Sequence, residues 1–306
     1  MAVLDELTSA GGAGRGGAVA VAEPGTAADR RRTRPGLLVA PALILLLAFF
    51  VYPVLTMVWR SLTDPTPGLG NFVWFFTEPA NLRVLARTFT TSLWVTVIAL
   101  LLSYPYAYAM TAVGRRGKAV LTLLVLVPFW TSLMVRTFAW QVLLQDTGVV
   151  NRVLGSVGLG PLALIRTETG VIIGMTQVLM PFLVLPLYAV MSGIDLRLVR
   201  AARSLGARPL IAFTRVYLPL SMPGVVAGTL MVFILSLGFY ITPALLGSPT
   251  DALISQQIFT QVSGLLRWGR GGAMGVVLLV ATLVLVGLVA LALRRTTPGQ
   301  RAGGAP

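Results

Sequence analysis

Six long apolar stretches separated by short polar connections dominate the chain. They run from Leu37 to Val58, Ser92 to Val113, Ala119 to Leu144, Val171 to Met191, Val225 to Leu246 and Ala273 to Leu293. Each comes close to the ~20 residues that a helix needs to cross the hydrocarbon core of a bilayer. Backbone N–H and C=O groups find no water there, so a crossing segment satisfies them internally as a helix. Pro53, Pro105, Pro128, Pro181 and Pro186 fall inside these stretches. Neighbouring helices can take up the carbonyls that such prolines free, which suits a bundle of many helices. The pattern predicts an all-α integral membrane fold, with six transmembrane helices in a domain spanning residues 36–295.

Residues 1–35 are rich in Gly, Ala and Arg and have no apolar period. They read as a disordered basic tail that ends in Arg30, Arg31, Arg32 and Arg34. Such a cluster ahead of an apolar run also opens secretory signals. The first run, at 22 residues, is longer than a signal core and has no clear small-residue cleavage site, so it is expected to stay as the first span. Residues 296–306 read as a short C-terminal tail.

Composition agrees with the pattern. Apolar residues make up 56% of the chain and charged residues 11%, with a mean hydropathy of +0.84. A soluble domain carries roughly 25% charged residues. The chain has no Cys and no His. That excludes disulfides, thiolate and imidazole metal sites, and catalysis by Ser-His or Cys-His pairs.

The net charge of +14 would suit nucleic-acid binding. The basic residues, however, lie in short connections between apolar runs, where they report topology. Sixteen fall on one side: Arg15, Arg30, Arg31, Arg32 and Arg34; Arg115, Arg116 and Lys118; Arg197, Arg200, Arg203, Arg208 and Arg215; and Arg294, Arg295 and Arg301. Seven fall on the other: Arg60, Arg83, Arg87, Arg152, Arg166, Arg267 and Arg270. The richer side is expected to be cytoplasmic, and with it both termini. No nucleic-acid partner is expected.

The fourth connection is the most informative segment. Asp195 is a good N-cap, and Gly206 can supply a left-handed residue that closes a helix. Pro209 suits the first turn of a second helix, which runs through Leu218 and Pro219 into the fifth span. Leu196, Val199, Ala202 and Leu205 form an apolar stripe at near-helical spacing, while Arg197, Arg200 and Arg203 occupy another face. Such a helix can lie on anionic lipid or dock a soluble partner.

This segment resembles the "EAA" loop of ABC importer permeases. Ala201 and Ala202 match the two alanines, Gly206 the glycine, and Val216-Tyr217-Leu218-Pro219 the closing element. Arg200 stands where the family has Glu, which reverses a charge on that surface. Pro128-Phe-Trp-Thr-Ser132, the run from Val135 to Trp140, Gly148-Val-Val-Asn151 and the run from Pro181 to Ala189 resemble the spermidine/putrescine-type branch.

The resemblance implies a type I importer permease fold in the plasma (inner) membrane. It also implies pairing with a second permease subunit, docking of two ATPase subunits on the cytoplasmic loops of the pair, with residues 192–221 as the coupling loop of this chain, and delivery of solute by an extracytoplasmic binding protein. Arg200, Ala201, Ala202, Leu205, Gly206, Leu218 and Pro219 are then the coupling residues. The solute would be a polyamine or a related small organic molecule. This chain would bind no cofactor. Gly114-Arg-Arg-Gly117-Lys118 lacks the spacing and the Ser/Thr of a phosphate-binding loop, so ATP would be used by a separate subunit.

Several residues inside the runs invite two readings. Arg136, the one charge well inside a span, can contact solute or gate, or can snorkel or pair structurally. Gln177 and Tyr188 share a face of the fourth run with Gly170, Gly174 and Pro181, as a path wall or as close packing. Ser236, Tyr240 and Thr242 offer polar groups to a path, whereas Gly224 and Gly228 form a small-xxx-small packing element. Trp130 and Trp140 can hold a cation on their ring faces or anchor at the interface. No Asp or Glu lies in any run. A polycation site would be expected to offer carboxylates, so recognition would be left to the binding protein or the solute would be of another kind. Proton- or sodium-coupled transport and intramembrane hydrolysis are disfavoured for the same lack of carboxylates.

Overall fold

The computed structural model of the chain describes residues 35–296. Among these residues there are helices and connections, and no strand. The basic cluster Arg30 to Arg34 and both expected tails, apart from Pro35 and Thr296, lie outside the described residues.

The chain divides into two compact units, residues 1–49 and 50–306. The described part of the first is helix α1 (Pro35–Leu46) and the start of a π-helical turn, Leu47–Val51. The second unit holds α2 (Tyr52–Thr63), α3 (Gly70–Thr77), α4 (Pro79–Ala112), α5 (Arg115–Leu126), α6 (Leu133–Leu143) and α7 (Val149–Ser156). It continues with α8 (Glu168–Ser192), α9 (Leu196–Ser204), α10 (Pro209–Ala212), α11 (Leu218–Leu237), α12 (Ile241–Leu246), α13 (Ile254–Phe259) and α14 (Trp268–Thr296).

Among the described residues, five helical stretches are long and apolar enough to cross a membrane: Ala40–Thr63, Pro79–Ala112, Glu168–Ser192, Pro209–Leu237 and Trp268–Ala292. A sixth exists if the bent pair Arg115–Trp130 and Leu133–Leu143 is one span.

That pair corrects the expected unbroken third span over Ala119 to Leu144: its halves meet at 101°. The cause is local. Pro128 has no N–H to continue the ladder, and the chain tightens into a 3-10 turn, Val127–Trp130. Thr131 and Ser132 are then extended, and α6 starts afresh when Arg136 N–H bonds the Ser132 carbonyl at 3.1 Å. The fifth run, expected over Val225 to Leu246, is corrected as well. Its helix begins far earlier, at Pro209, and ends at Leu237, with Gly238 as C-cap; α12 is a separate helix.

Helix α8 is the axis of the second unit. Met175, Leu179, Leu183 and Leu187 are buried along it, between α4 and α11. Gly224 and Gly228 let α11 approach closely. A Cβ at Gly228 would lie 3.2 Å from both Leu183 Cγ and the Leu183 carbonyl oxygen, and one at Gly224 would lie 3.0 Å from Val190 Cβ. The same device seats α12, where Gly174 faces Leu246 and Thr242. Outer helices are dressed differently: Leu279, Val280, Leu283 and Leu288 on α14 are exposed. Such faces suit lipid or a partner subunit.

Candidate functional site

The connection between α8 and α11 forms the helix–turn–helix read from the sequence. Asp195 caps α9, its carboxylate accepting the Arg197 N–H at 2.8 Å. Helix α9 ends in a six-residue turn: Gly206 N–H donates to Arg203 O at 3.0 Å, and Ala207 N–H to Ala202 O at 3.1 Å. Those two bonds and a left-handed Gly206 (φ +89°) make a Schellman closure. Pro209 opens α10, and a π-helical turn, Phe213–Tyr217, leads into α11. Pro219 explains the π-turn. In a regular helix its ring would clash with the carbonyl four residues back, and the wider turn relieves that contact.

The expected apolar stripe divides. Val199 and Ala202 are half-buried, but Leu196 is exposed and Leu205 is 89% exposed. Arg200 and Ala201 are exposed, as are Arg197, Arg203 and Gly206; Leu218 is half-buried and Pro219 exposed. The loop therefore presents leucines and arginines together on one free surface, on a turn that is fixed internally.

Two aromatic residues of α4 secure the second limb of this loop. Tyr108 stands edge-on to Phe213 and Tyr217, at 5.8 and 5.3 Å between ring centroids. Tyr104 OH donates to Ser221 Oγ at 3.0 Å, since the Ser221 hydroxyl itself donates to Leu218 O at 2.8 Å.

A second set of functional candidates lies where α6, α8 and α12 meet. Trp140 Nε1 donates to Gln177 Oε1 at 3.3 Å. Thr137 donates to Leu133 O, so the 3.5 Å contact between the Thr137 and Thr242 hydroxyls has Thr242 as donor. Gln141 Nε2 donates to Leu245 O at 2.6 Å. Arg136 is half-buried one turn before Trp140, and its Nε has no hydrogen-bond partner among the described residues.

The other candidates stand apart. Trp130 is 74% exposed, beyond the bend. Tyr188 lies eleven residues along α8 from Gln177, roughly 16 Å away, beneath the Lys118 ammonium at 5.6 Å. Ser236 is fully buried, with its hydroxyl donating to Phe233 O. Tyr240 precedes α12 and packs on Phe259 at 4.9 Å. Thr137 and Gln141 were missed in the sequence. They stand four apart on the α6 face that carries Trp140, and a helix-face reading finds them. Among the described residues no acidic cluster is placed to hold a metal ion.

Residues 109–298 match the profile of the family described as "binding-protein-dependent transport system inner membrane component". The chain belongs to that family. This permease is 35% identical over 213 residues to the spermidine/putrescine transport system permease protein PotB of Haemophilus influenzae, covering 68% of this chain and 74% of the relative. It is 30% identical over 263 residues to the inner membrane ABC transporter permease protein YdcU of Escherichia coli K12, covering 78% and 80%. In structure it matches a chain of a bacterial ABC transporter involved in the import of the acidic polysaccharide alginate. The TM-score is 0.70 at 24% identity, over 86% of this chain and 97% of that one, which shows a common fold. The likeness to the spermidine/putrescine-type branch, read from segments between Pro128 and Ala189, is thus borne out among the relatives.

Proposed function

We propose that this permease forms the translocation path of an ATP-driven importer for a polyamine or a related small organic solute. The observation that carries the reading is the free surface of α9: exposed leucines and arginines held by an internally closed turn, in a chain that matches an ABC importer family over most of its length. Residues 192–221 dock one of two ATPase subunits, a second permease subunit completes the path and docks the other, and an extracytoplasmic binding protein delivers the solute. Both termini face the cytoplasm, as the sixteen-to-seven distribution of basic residues supports. The polar set of Trp140, Gln177, Thr137 and Thr242, with Arg136 and Tyr240 near it in sequence, is the stretch of α6, α8 and α12 assigned to the path. PotB-like relatives support the solute class.

The test is uptake of labelled putrescine and spermidine by cells expressing the complete importer. The expected result is uptake that stops when ATP is depleted, when the binding protein is omitted, or when the ATPase is inactivated. Uptake that persists without the ATPase and collapses with a proton ionophore contradicts the reading.

A further inference from the structure

The joint between the proposed docking limb and the α11 span is a π-helical turn, one of three among the described residues. A π-helical turn is uncommon and holds one residue of slack, so a push arriving along α10 can be absorbed there. Here the turn is gripped. Phe213 and Tyr217 stack on each other at 5.5 Å with planes 16° apart, which fixes the two ends of the turn against one another. Tyr108 meets both edge-on, at 88° and 90°, and Tyr104 meets Phe213 edge-on at 6.1 Å and 87°. Edge-to-face rings resist sliding, because a shift takes the positive edge off the negative face. The Tyr104–Ser221 hydrogen bond ties the same helix to the first turns of α11.

Both gripping residues belong to α4, which packs along α8, the axis of the bundle. Pro105 lies between them, where the α4 ladder is already interrupted. Beside the cluster lies an apolar groove of about 510 Å³, lined by Tyr104 and Phe213 together with Leu101, Pro105, Leu218 and Met222.

Resting on the docking reading above, we propose that Tyr104, Tyr108, Phe213 and Tyr217 form a coupling clamp. They are positioning residues that pass displacement of α9 and α10 into α4 instead of letting the π-turn absorb it. The solute path then opens and closes in step with the ATPase.

The test measures ATPase co-purification, ATP hydrolysis and solute uptake in the complete importer. Tyr108→Leu and Phe213→Leu are expected to keep the ATPase bound and hydrolysing, while the ATP consumed per solute imported rises by about tenfold. Tyr108→Phe keeps the wild-type ratio, because the contacts are made by the ring. If the leucine variants do not accumulate, Tyr104→Phe decides. It retains the ring, removes only the bond to Ser221, and is expected to raise the ratio by a few-fold. Variants that import less only in proportion to their abundance, at an unchanged ratio, overturn the clamp and leave docking intact. A wild-type chain that binds no ATPase removes the docking reading and the clamp with it.

Discussion

Gly206→Val is expected to abolish uptake and to strip the ATPase from the purified complex, while the protein still reaches the membrane in normal amount. The physical reason is confined to the backbone. A Cβ at Gly206 would meet nothing within 4 Å, so no clash arises. What the substitution cannot accept is φ of +89°. Left-handed backbone costs an ordinary L-residue about 1–2 kcal/mol, and a β-branched side chain resists it further. That is enough to shift the turn's equilibrium by roughly 5–30-fold toward other geometries. The bonds from Gly206 and Ala207 to Arg203 and Ala202 are then lost, and α9 points elsewhere. Gly206→Asn should retain most activity, since Asn tolerates this region. Gly275→Ala is the control: its surroundings are open and it sits in the regular helix α14, so it should be neutral or slightly stabilising. Uptake by each variant, normalised to membrane protein, checks the series.

Gly228→Leu should fail at an earlier stage. Its Cβ would lie 3.2 Å from the Leu183 carbonyl oxygen and 3.4 Å from Leu183 Cα, which are backbone atoms of the central helix and cannot swing aside. The rest of the leucine side chain has to push α11 away from α8. Overpacking of this kind costs about 1–3 kcal/mol, and more where the backbone itself must move. The expected outcome is a several-fold loss of folded protein and a lower melting temperature for what remains, read by size-exclusion chromatography after heating. Gly228→Ala needs a far smaller shift and should lie between the two. Full accumulation and an unchanged melting temperature for Gly228→Leu would show that the two helices do not meet here.

The sequence made the spans legible because apolar length is an average property, and averages survive local irregularity. The same averaging hid the break at Thr131 and Ser132. Hydropathy barely drops across Pro128-Phe-Trp, and two small hydroxyl residues do not end an apolar run. Helix α4 begins at Pro79, thirteen residues before the apolar run at Ser92, because Asn81, Thr88 and Thr91 are polar yet buried. Thr91 donates to Glu168, and Asn81 to backbone carbonyls, so burial there rests on hydrogen bonds that no hydropathy window registers. Ser236 shows the converse. A serine in a span can bond its own helix carbonyl, so a polar residue in an apolar run does not by itself mark a path. The turn at Gly206 was readable because Asp195, Gly206 and Pro209 are local signals. The grip of Tyr104 and Tyr108 on Phe213 and Tyr217 was not, because it joins residues about a hundred positions apart.

The most direct test of the central claim uses Leu205, 89% exposed at the end of α9, in a chain with no native cysteine. Leu205→Cys is labelled with a short photo-activated cross-linker in the assembled importer, and the adducts are mapped by mass spectrometry. The account predicts cross-links to the ATPase subunit from position 205, and none from Leu159→Cys, whose exposed side chain lies in a connection assigned to the opposite side of the membrane. An intact complex that retains its ATPase, yet yields ATPase adducts from position 159 and none from 205, would contradict both the docking surface and the orientation.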